Sequence, residues 1–449
     1  MKNMKIAASH WGPRNRVKAD TAAPSITQQS GCTVTTLNIG TINCRFCATP
    51  LSHIFCDLGM SPISNAFIKP ECSDDMEPLY PLRAYFCEQC GLVQTKDFKA
   101  PGEIFADYAY FSSYSKSWLE HARQYTETMI RLHNLSGAKR VVEIASNDGY
   151  LLQYFKQSGI PVLGVEPAAN VAKVALAAGI PTVIKFFGTN TARELVRDGQ
   201  QADLLLGNNV LAHVPDLNDF VSGMKILLKS DGLITMEFPH LANLIEQSQF
   251  DTIYHEHCSY LSLATVERIF SRHGLVIFDV DELETHGGSL RIYAKHCEDS
   301  GKAVSDRVAR IKGHENELGL DKLETYTSFA NKVREVKYSL LELLIKIKRQ
   351  GKSVVGYGAP AKGNTLLNYC GIREDFLDYT VDASPHKQGC LLPGTHIPIC
   401  HPDMIKETRP DYLLILPWNL KAEVMQQMAY IRQWGGKFVV PIPHVEVLG

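Results

Sequence analysis

The chain has 449 residues, of which 45% are hydrophobic and 21% charged, and its formal net charge at pH 7 is −2. The sequence contains no apolar run of the roughly 20 residues needed to cross a bilayer, and no block of lysine and arginine that would neutralise nucleic-acid phosphates. We therefore expect a small-molecule partner, with neither a membrane nor a nucleic acid involved. This length predicts two to four domains, and we expect three.

The first predicted segment, residues 1–40, is a flexible tail. Residues 1–31 carry two basic patches but no continuous apolar stretch of signal-peptide length. Secretion is therefore not expected, and the protein is predicted to be cytoplasmic. The sequence indicates no role for this tail.

Four cysteines in two Cys-x-x-Cys pairs indicate a metal site in a domain predicted to span residues 41–105. The pairs are Cys44 with Cys47 and Cys87 with Cys90. Each such turn can direct two thiolates at one ion, and four thiolates suit the tetrahedral coordination of zinc. A closed four-sulfur site leaves no open position for catalysis, so we predict a structural zinc. Buried free cysteines are the alternative interpretation.

Residues 106–300 are predicted to form a doubly wound α/β domain of the Rossmann type, because short apolar runs alternate with helical patterns. The apolar runs cover residues 140–145, 161–167, 181–187, 202–210, 232–239 and 275–282. Ligands of such sheets lie beyond the carboxyl ends of the strands. The loops that leave those ends are therefore the candidate site.

The turn after the first of these strands, EIASNDGY, favours S-adenosylmethionine over a nicotinamide dinucleotide. A dinucleotide fingerprint needs G-x-G-x-x-G, most of whose glycines are replaced here, and Asp148 would repel a pyrophosphate. Glu166 ends the second strand and would accept both ribose hydroxyls. The candidate cofactor contacts are Glu143, Ser146, Asn147, Asp148, Gly149, Glu166, Asn208 and Asn209. An ordinary N-capped strand–helix turn is the alternative.

Residues 351–449 repeat the plan of the first α/β domain, after a helical linker over residues 301–350. The stretch KSVVGYGAPAKGNTLLNY shares with KRVVEIASNDGYLLQY its Lys-x-Val-Val opening and its Leu-Leu-x-Tyr end, which predicts a second, related doubly wound domain. Its turn carries Gly358 and Lys362, and Lys387 follows in a later loop. This half can therefore bind phosphate at a helix N-terminus, although solvated surface lysines are the alternative.

Histidines and tyrosines gather in loops expected at the carboxyl ends of the strands, where they can face one cavity. The candidate catalytic residues are Tyr108, His213, Tyr254, Glu256 and His257. His255 and His257 are two positions apart, which does not place both on one helical face as in the metal motif H-E-x-x-H. General acid–base catalysis is the better interpretation, because a neutral imidazole accepts a proton near neutral pH and tyrosine hydroxyls donate to a developing oxyanion.

Several motifs, taken in order, resemble the bacterial deoxysugar C-methyltransferases that act at carbon 3 of nucleotide-linked 4-keto-6-deoxyhexoses. They are the two Cys-x-x-Cys pairs, VVEIASNDGYLL, NNVLAHV, YHEHCSYLSL, THGGSLRIY and VVGYGAPAKGNTLLNY. The resemblance as a whole covers about residues 44–443. The resemblance implies that a zinc domain, an S-adenosylmethionine domain and a sugar-nucleotide-binding C-terminal domain enclose the substrate, with His257 as the base. The candidate substrate contacts are His255, His286, Tyr357, Lys362 and Lys387.

Methylation of carbon requires a carbanion equivalent, and this requirement explains the residue types. A 4-keto group acidifies the proton on carbon 3, so a base can remove it while donors hold the enolate oxygen. The nearest alternative is an O- or N-methyltransferase that acts on a sugar nucleotide, which would not need a base for a carbon acid. A sugar-nucleotide epimerase or dehydrogenase would be expected to carry a nicotinamide fingerprint and usually a Tyr-x-x-x-Lys pair. The sequence contains neither of them. A non-catalytic binding module would not need the histidines and tyrosines. We expect a monomer or a weak oligomer.

Overall fold

Three β-sheets organise the residues that the computed structural model describes, which are residues 42–104 and 111–449. The predicted tail over residues 1–40 and the catalytic candidate Tyr108 lie outside these ranges. Within the described ranges, no helix combines the length and the apolar character needed to cross a lipid bilayer.

Strands and helices alternate through both predicted α/β segments. The strands are β1 His53–Ser61, β2 Tyr80–Phe86, β3 Val93–Thr95, β4 Val141–Ile144, β5 Val162–Val165, β6 Thr182–Val183, β7 Ala202–Asn208, β8 Leu228–Pro239, β9 Ser259–Tyr260, β10 Leu275–Leu283, β11 Ser289–His296, β12 Val354–Tyr357, β13 Thr380–Val381, β14 Ile399–Cys400, β15 Tyr412–Ile415, β16 Lys437–Val440 and β17 Glu446–Leu448. The α-helices are α1 Pro101–Ile104, α2 Lys116–His133, α3 Leu152–Gln157, α4 Ala169–Ala177, α5 Thr189–Arg197, α6 Leu217–Leu227, α7 Leu241–Glu246, α8 Leu263–Arg272, α9 Asp306–Glu317, α10 Leu323–Arg349, α11 Ala361–Cys370, α12 Met404–Thr408 and α13 Lys421–Gln427.

The first sheet is antiparallel, has the order β1-β2-β3-β9 and lies next to the cysteine pairs. Strands β1 to β3 come from the amino-terminal part of the chain, but β9 comes from a segment more than 160 positions later. Val93 pairs with Tyr260, and Gln94 pairs with Ser259. A two-residue strand is too short to show a period of two, so this pairing cannot be recognised in the sequence.

The second sheet has seven strands in the order β10-β11-β8-β7-β4-β5-β6. Neighbours from β6 to β8 run parallel, while β11 is antiparallel to both β8 and β10. Each of the six predicted apolar runs overlaps one of its strands, but β11 was not predicted because Arg291 and Lys295 interrupt its apolar pattern. Strand order reverses at the neighbours β4 and β7, where the carboxyl ends open a crevice.

The third sheet repeats this plan in the order β14-β13-β12-β15-β16-β17. Its strands are parallel except for the antiparallel edge strand β17. The parallel strands of each sheet can be numbered in chain order, starting with β4 in the second sheet and β12 in the third. Both sheets then have the spatial order 3-2-1-4-5, followed by an antiparallel strand on the same side. The predicted second, related doubly wound domain is therefore confirmed, and it has its own reversal point at β12 and β15.

The long helix α10 packs against the first sheet and the third sheet through one apolar face. Its apolar residues recur in steps of three and four, which predicts a single buried stripe, and the stripe is buried: Phe329, Val333, Val336, Leu340, Leu344 and Ile347. The Phe329 ring stacks on Phe55 of β1 with centroids 4.5 Å apart, and Tyr326 stacks on Phe86 of β2 at 3.7 Å. This helix therefore joins the cysteine-bearing segment to the carboxyl-terminal sheet.

Truncation of this stripe should destabilise the protein strongly. Phe329→Ala removes a ring that is 0% exposed, and a substitution of this kind costs about 3 to 5 kcal/mol of unfolding free energy. Tyr338→Ala, on the solvent side of the same helix at 59% exposure, should change stability by less than about 0.5 kcal/mol. Thermal unfolding followed by circular dichroism measures both variants, and equal midpoints would contradict the packing described.

Candidate active site

Four cysteine sulfurs converge on one point beside the first sheet. All four Sγ atoms lie within 4.8 Å of one another, and the separations are 3.6 Å for Cys44 and Cys90 and 3.5 Å for Cys47 and Cys87. A tetrahedron with zinc–sulfur bonds of about 2.3 Å requires sulfur atoms about 3.8 Å apart. The donor set and its spacing therefore fit one zinc ion.

Backbone conformation shapes both cysteine turns in the same way. Each turn ends in a residue with positive φ, 62° at Ala48 and 78° at Gly91. Their N–H groups donate to the carbonyls of Cys44 at 2.9 Å and Cys87 at 2.8 Å. At position 91 a Cβ would lie 3.0 Å from the Arg268 guanidinium of α8, so the close approach of this helix also requires glycine.

Left-handed backbone shapes the turn after β4. The φ angle is 57° at Ala145, 50° at Asn147 and 81° at Gly149, and asparagine and glycine adopt this region more readily than other residues. Glu166, directly after β5, accepts hydrogen bonds from the backbone N–H of Asn147 at 2.9 Å and of Ala168 at 2.8 Å. These bonds hold the Glu166 carboxylate against the turn, as the prediction of a nucleoside-binding turn requires.

Other cofactor candidates lie behind this turn. Glu143 is completely buried, and burial raises its pKa well above the usual value against the opposing hydrogen bond of Tyr150. Asp148 accepts a hydrogen bond from the backbone N–H of Ser113 at 3.1 Å. Its carboxylate therefore holds the segment that leads into α2.

A cavity of about 370 Å³ lies at the carboxyl ends of both parallel sheets. The predicted site residues that line it are Asn147, Glu166, Asn208, Asn209, His213, Tyr254, Glu256, His257, His286, Lys362 and Lys387. Those outside the lining are Glu143, Ser146, Asp148, Gly149, His255 and Tyr357. The structure therefore brings both α/β halves and the YHEHC segment to one space.

The imidazole of His257 is fixed in one tautomer by its two hydrogen bonds. Its Nδ1 lies 2.8 Å from the carbonyl oxygen of Thr252, which can only accept, so Nδ1 carries the hydrogen. Its Nε2 lies 2.6 Å from the Tyr254 hydroxyl, which donates to it. Burial, followed by the nearby His213, lowers the pKa of His257 well below its usual value. The ring is therefore neutral at pH 7, with its lone pair on Nε2.

Two further histidines in the cavity are also held neutral. Burial lowers the pKa values of His213 and His286 to about 4. The rings of His213 and His257 meet edge to face with centroids 4.7 Å apart. His286 has a φ of 55°, and its Nε2 lies 2.8 Å from Nδ2 of Asn209. Because the amide nitrogen can only donate, the Nδ1 atom of His286 carries the hydrogen.

A buried ion network supports the strained His286 loop. Glu237 is 0% exposed and accepts hydrogen bonds from Thr285 at 2.8 Å, Arg291 at 2.7 Å and His121 at 2.9 Å. Burial alone would raise the pKa of Glu237, but His121 and Arg291 lower it to about 2. Thr285 immediately precedes His286, so the ionised Glu237 anchors this loop.

Glu256 faces the cavity from the YHEHC segment. Its Oε1 accepts a hydrogen bond from Nδ2 of Asn65 at 3.1 Å, while its Oε2 is buried and has no hydrogen-bond partner among the described residues. Burial raises the pKa of Glu256 against the opposing bond from Asn65. Asn65 was missed in the sequence, since it lies in a loop of the cysteine-bearing segment with no motif of its own.

The lysine side of the cavity is built by the carboxyl-terminal half. Lys362 donates to Oδ1 of Asn419 at 3.0 Å and lies 4.7 Å from the ring centroid of Trp418. Trp418 donates in turn to buried Asp251 at 2.6 Å. Burial lowers the pKa of Lys362, and the Asp251 carboxylate opposes this shift. Lys387 donates to the Ala359 carbonyl at 2.9 Å, which places its ammonium beside the same turn.

Two predicted substrate contacts lie elsewhere. The His255 ring meets the rings of Tyr80 and Phe98 edge to face, each at a centroid distance of 6.0 Å. The Tyr357 hydroxyl donates to Gln427 at 2.7 Å. Neither residue lines the cavity, so their contact with substrate stays a prediction.

Three protein-family models match the chain in order. Residues 44–105 match a "Putative zinc binding domain", residues 118–280 a "Methyltransferase domain" and residues 284–443 a "C-methyltransferase C-terminal domain". Among curated proteins, C-methyltransferase NovU of Streptomyces niveus is 34% identical over 405 residues, which are 90% of this chain and 96% of NovU. The chain belongs to the C-methyltransferase family.

Other relatives of this C-methyltransferase share only part of its length. Ubiquinone biosynthesis O-methyltransferase of Bartonella tribocorum is 30% identical over 98 residues, which are 21% of this chain and 39% of that protein. The crystal structure of magnesium protoporphyrin IX methyltransferase from Synechocystis PCC 6803 with bound S-adenosylmethionine has 14% identity, covers 43% of this chain and 88% of its own, and has a TM-score of 0.31. A likeness of that size supports no conclusion here.

The protein is therefore an S-adenosylmethionine-dependent C-methyltransferase with an amino-terminal zinc-binding domain. The site fits a polar cofactor, because Oδ1 of Asn209, a residue that lines the cavity, is buried and has no hydrogen-bond partner within the described ranges. When bound, S-adenosylmethionine supplies an electrophilic methyl group on a sulfonium.

Metal analysis should find about one zinc per chain in enzyme purified without added metal. Cys87→Ser removes one of the four thiolates and should release zinc at a chelator concentration that leaves the wild type loaded. Cys72→Ser alters an exposed cysteine outside the cluster and should retain zinc as the wild type does. Equal retention by both variants would contradict the four-sulfur site.

Proposed function

We propose that the enzyme methylates carbon 3 of a nucleotide-linked 4-keto-6-deoxyhexose through an enolate. The observation that carries this proposal is the hydrogen bond of 2.6 Å between the Tyr254 hydroxyl and Nε2 of His257 in the cavity. A saturated carbon must lose a proton before it can act as a nucleophile, and a carbon beside a ketone loses one more readily than other saturated carbons of the sugar. A neutral imidazole in a desolvated cavity is suited to take it.

Tyr254 and His257 act together as the base in this proposal. The lone pair on Nε2 points at the Tyr254 hydroxyl, so a proton from carbon 3 reaches His257 either directly, after the hydroxyl turns away, or through the tyrosine oxygen as its own proton moves to Nε2. The Thr252 carbonyl keeps the hydrogen on Nδ1 in both cases. His257 therefore ends the step as an imidazolium.

The surroundings make this imidazolium short-lived. Burial and the neighbouring His213 lower the pKa of His257, so the charged ring returns its proton readily unless the enolate is consumed. Deprotonation is therefore expected to be reversible and uphill, with methyl capture drawing the reaction forward. In the absence of a methyl donor, the same chemistry predicts exchange of the carbon 3 hydrogen with solvent.

One neutral donor, His286, is available for the enolate oxygen. Asn209 fixes the His286 tautomer so that Nδ1 carries the hydrogen, and the Glu237 network anchors the loop that presents it. A fixed donor in a water-poor cavity stabilises developing negative charge more than it would in water. We assign His286 and His213 to the sugar side of the cavity, next to Glu256.

The two lysines support an anionic acceptor. Lys362 and Lys387 line the cavity from the carboxyl-terminal half, and no base-stacking or metal is required for them to attract a diphosphate. Burial lowers the pKa of Lys362, and the Asp251 carboxylate opposes this shift by stabilising the charged ammonium.

We assign one role to each segment of the chain. Residues 41–105 bind zinc, residues 106–300 bind S-adenosylmethionine, residues 301–350 form the helical linker and residues 351–449 bind the sugar nucleotide. Glu166 contacts the ribose of the methyl donor.

A substrate panel tests the proposal. Enzyme, methyl-labelled S-adenosylmethionine and several 4-keto-6-deoxy sugar nucleotides should give a product whose new methyl group NMR places on carbon 3. A methyl group on carbon 5, which also flanks the ketone, would contradict the position, and no transfer to any member would contradict the substrate class.

His257→Ala should lower the rate by about 10²-fold or more and abolish deuterium exchange, while affinity for S-adenosylhomocysteine stays within twofold. His444→Ala, an exposed histidine, is the control.

The rate of methyl transfer should be insensitive to mild acid. Only the neutral form of His257 accepts a proton, and its lowered pKa keeps that form dominant until the pH falls well below 6.5. Single-turnover rates from pH 8 down to 6.5 should therefore agree within about twofold. A decline centred near pH 6.5 would show an imidazole with an ordinary pKa and would contradict the buried, neutral base.

A further inference from the structure

The loop that carries His257 is part of the zinc domain's sheet. Strand β9, directly after His257 and Cys258, is the fourth strand of that sheet and pairs with β3. The pairing continues past the strand end, because the N–H of Thr95 donates to the Cys258 carbonyl at 3.1 Å. The other edge of the loop is held by the N–H of Cys258, which donates to the Ala212 carbonyl at 2.7 Å.

Thr95 holds His257 by its backbone. The Thr95 hydroxyl donates to the His257 carbonyl oxygen at 2.9 Å, and Thr95 is only 4% exposed. Thr95 does not line the cavity, so it touches neither ligand. Its hydroxyl and N–H together fix two consecutive carbonyls of the loop, those of His257 and Cys258.

Gln94 connects the same strand to the zinc centre. Its Nε2 donates to Sγ of Cys44 at 3.1 Å, and its Oε1 accepts from the N–H of Arg45 at 2.8 Å. The Arg45 side chain contacts the same strand, because its guanidinium donates to the Thr95 carbonyl at 2.7 Å. It also donates to the Pro215 carbonyl at 2.9 Å. The first cysteine turn, β3 and the loop after His213 are therefore tied together.

We propose that Gln94 and Thr95 are positioning residues that transmit the order of the zinc centre to the catalytic loop. The zinc ion fixes the first cysteine turn, Gln94 and Arg45 fix β3 to that turn, and Thr95 fixes the His257 carbonyl. This inference rests on the proposed role of His257 as base. Displacement of a catalytic group by about 1 Å can cost about 10²-fold in rate, so the metal acts on turnover without touching the substrate.

A pair of substitutions at Thr95 isolates the hydroxyl. Thr95→Val keeps the shape and the backbone N–H but removes the bond to the His257 carbonyl, whereas Thr95→Ser keeps that bond. We expect kcat to fall about tenfold or more in Thr95→Val and to stay within threefold in Thr95→Ser, with KM and affinity for S-adenosylhomocysteine unchanged in both. All measurements use the zinc-loaded protein, with zinc content determined for each variant.

Thr126→Val is the matched control. Thr126 is 1% exposed, and its hydroxyl likewise donates to a backbone carbonyl, that of Ala122, at 2.9 Å. It lies in α2, away from the zinc sheet. A fall in kcat in Thr126→Val as large as that in Thr95→Val would mean general loss of stability, and equal losses in Thr95→Val and Thr95→Ser would remove the hydroxyl from the positioning role. Both results would overturn the proposal.

Hydrogen–deuterium exchange separates this inference from the proposed reaction. In Thr95→Val, the peptide that covers residues 254–260 should exchange faster than in the wild type, with zinc retained, and this readout needs no sugar substrate. Faster exchange together with inactivity of the wild type on every keto sugar would reject the substrate class and keep the positioning role. Wild-type exchange and wild-type kcat in Thr95→Val would reject the positioning role and leave the proposed reaction standing.

Discussion

Pairing between two short backbone segments, β3 and β9, determines how the parts of this enzyme depend on one another. The edge of a sheet presents unpaired N–H and C=O groups that need partners, and here the edge of the zinc-domain sheet is completed by residues from the YHEHCSYL stretch. The zinc cysteines lie in the same apolar cluster as the core of the methyltransferase sheet. The amino-terminal segment is therefore built into the catalytic half, and cannot be regarded as an appended module.

Burial of ionisable groups gives the cavity its chemical character. Two carboxylates near the cavity have a defined counterpart: Glu237 meets Arg291, and Asp251 meets the indole N–H of Trp418. Burial lowers the pKa values of the histidines that face the cavity and keeps them neutral at pH 7. The protein thus uses ion pairs to hold loops in place, while it keeps its imidazoles uncharged and able to accept protons or to donate hydrogen bonds.

The sequence was most informative where a local pattern records a physical requirement. The paired cysteines, the apolar stripe of α10 and the acidic residue after β5 each follow from spacing or periodicity, and the structure contains all three. The sequence did not predict residues whose role depends only on contacts with distant parts of the chain. Asn65 and Thr95 belong to no motif, and their contacts with Glu256 and His257 join segments more than 160 positions apart.

The two related sheets bring different charges to the shared cavity, although both carry an acidic residue after their second strand. Asp382 follows β13 as Glu166 follows β5, but Asp382 lies outside the cavity lining and 3.6 Å from Lys387. The turn after β4 is followed by the Glu166 carboxylate at the end of β5, whereas the equivalent turn after β12 presents Lys362, with Lys387 beyond β13. A cationic sulfonium and an anionic diphosphate would each be drawn to one end of the shared space and repelled from the other. Such polarity would favour the methyl donor at one end of the cavity and the proposed sugar nucleotide at the other, without any moving element.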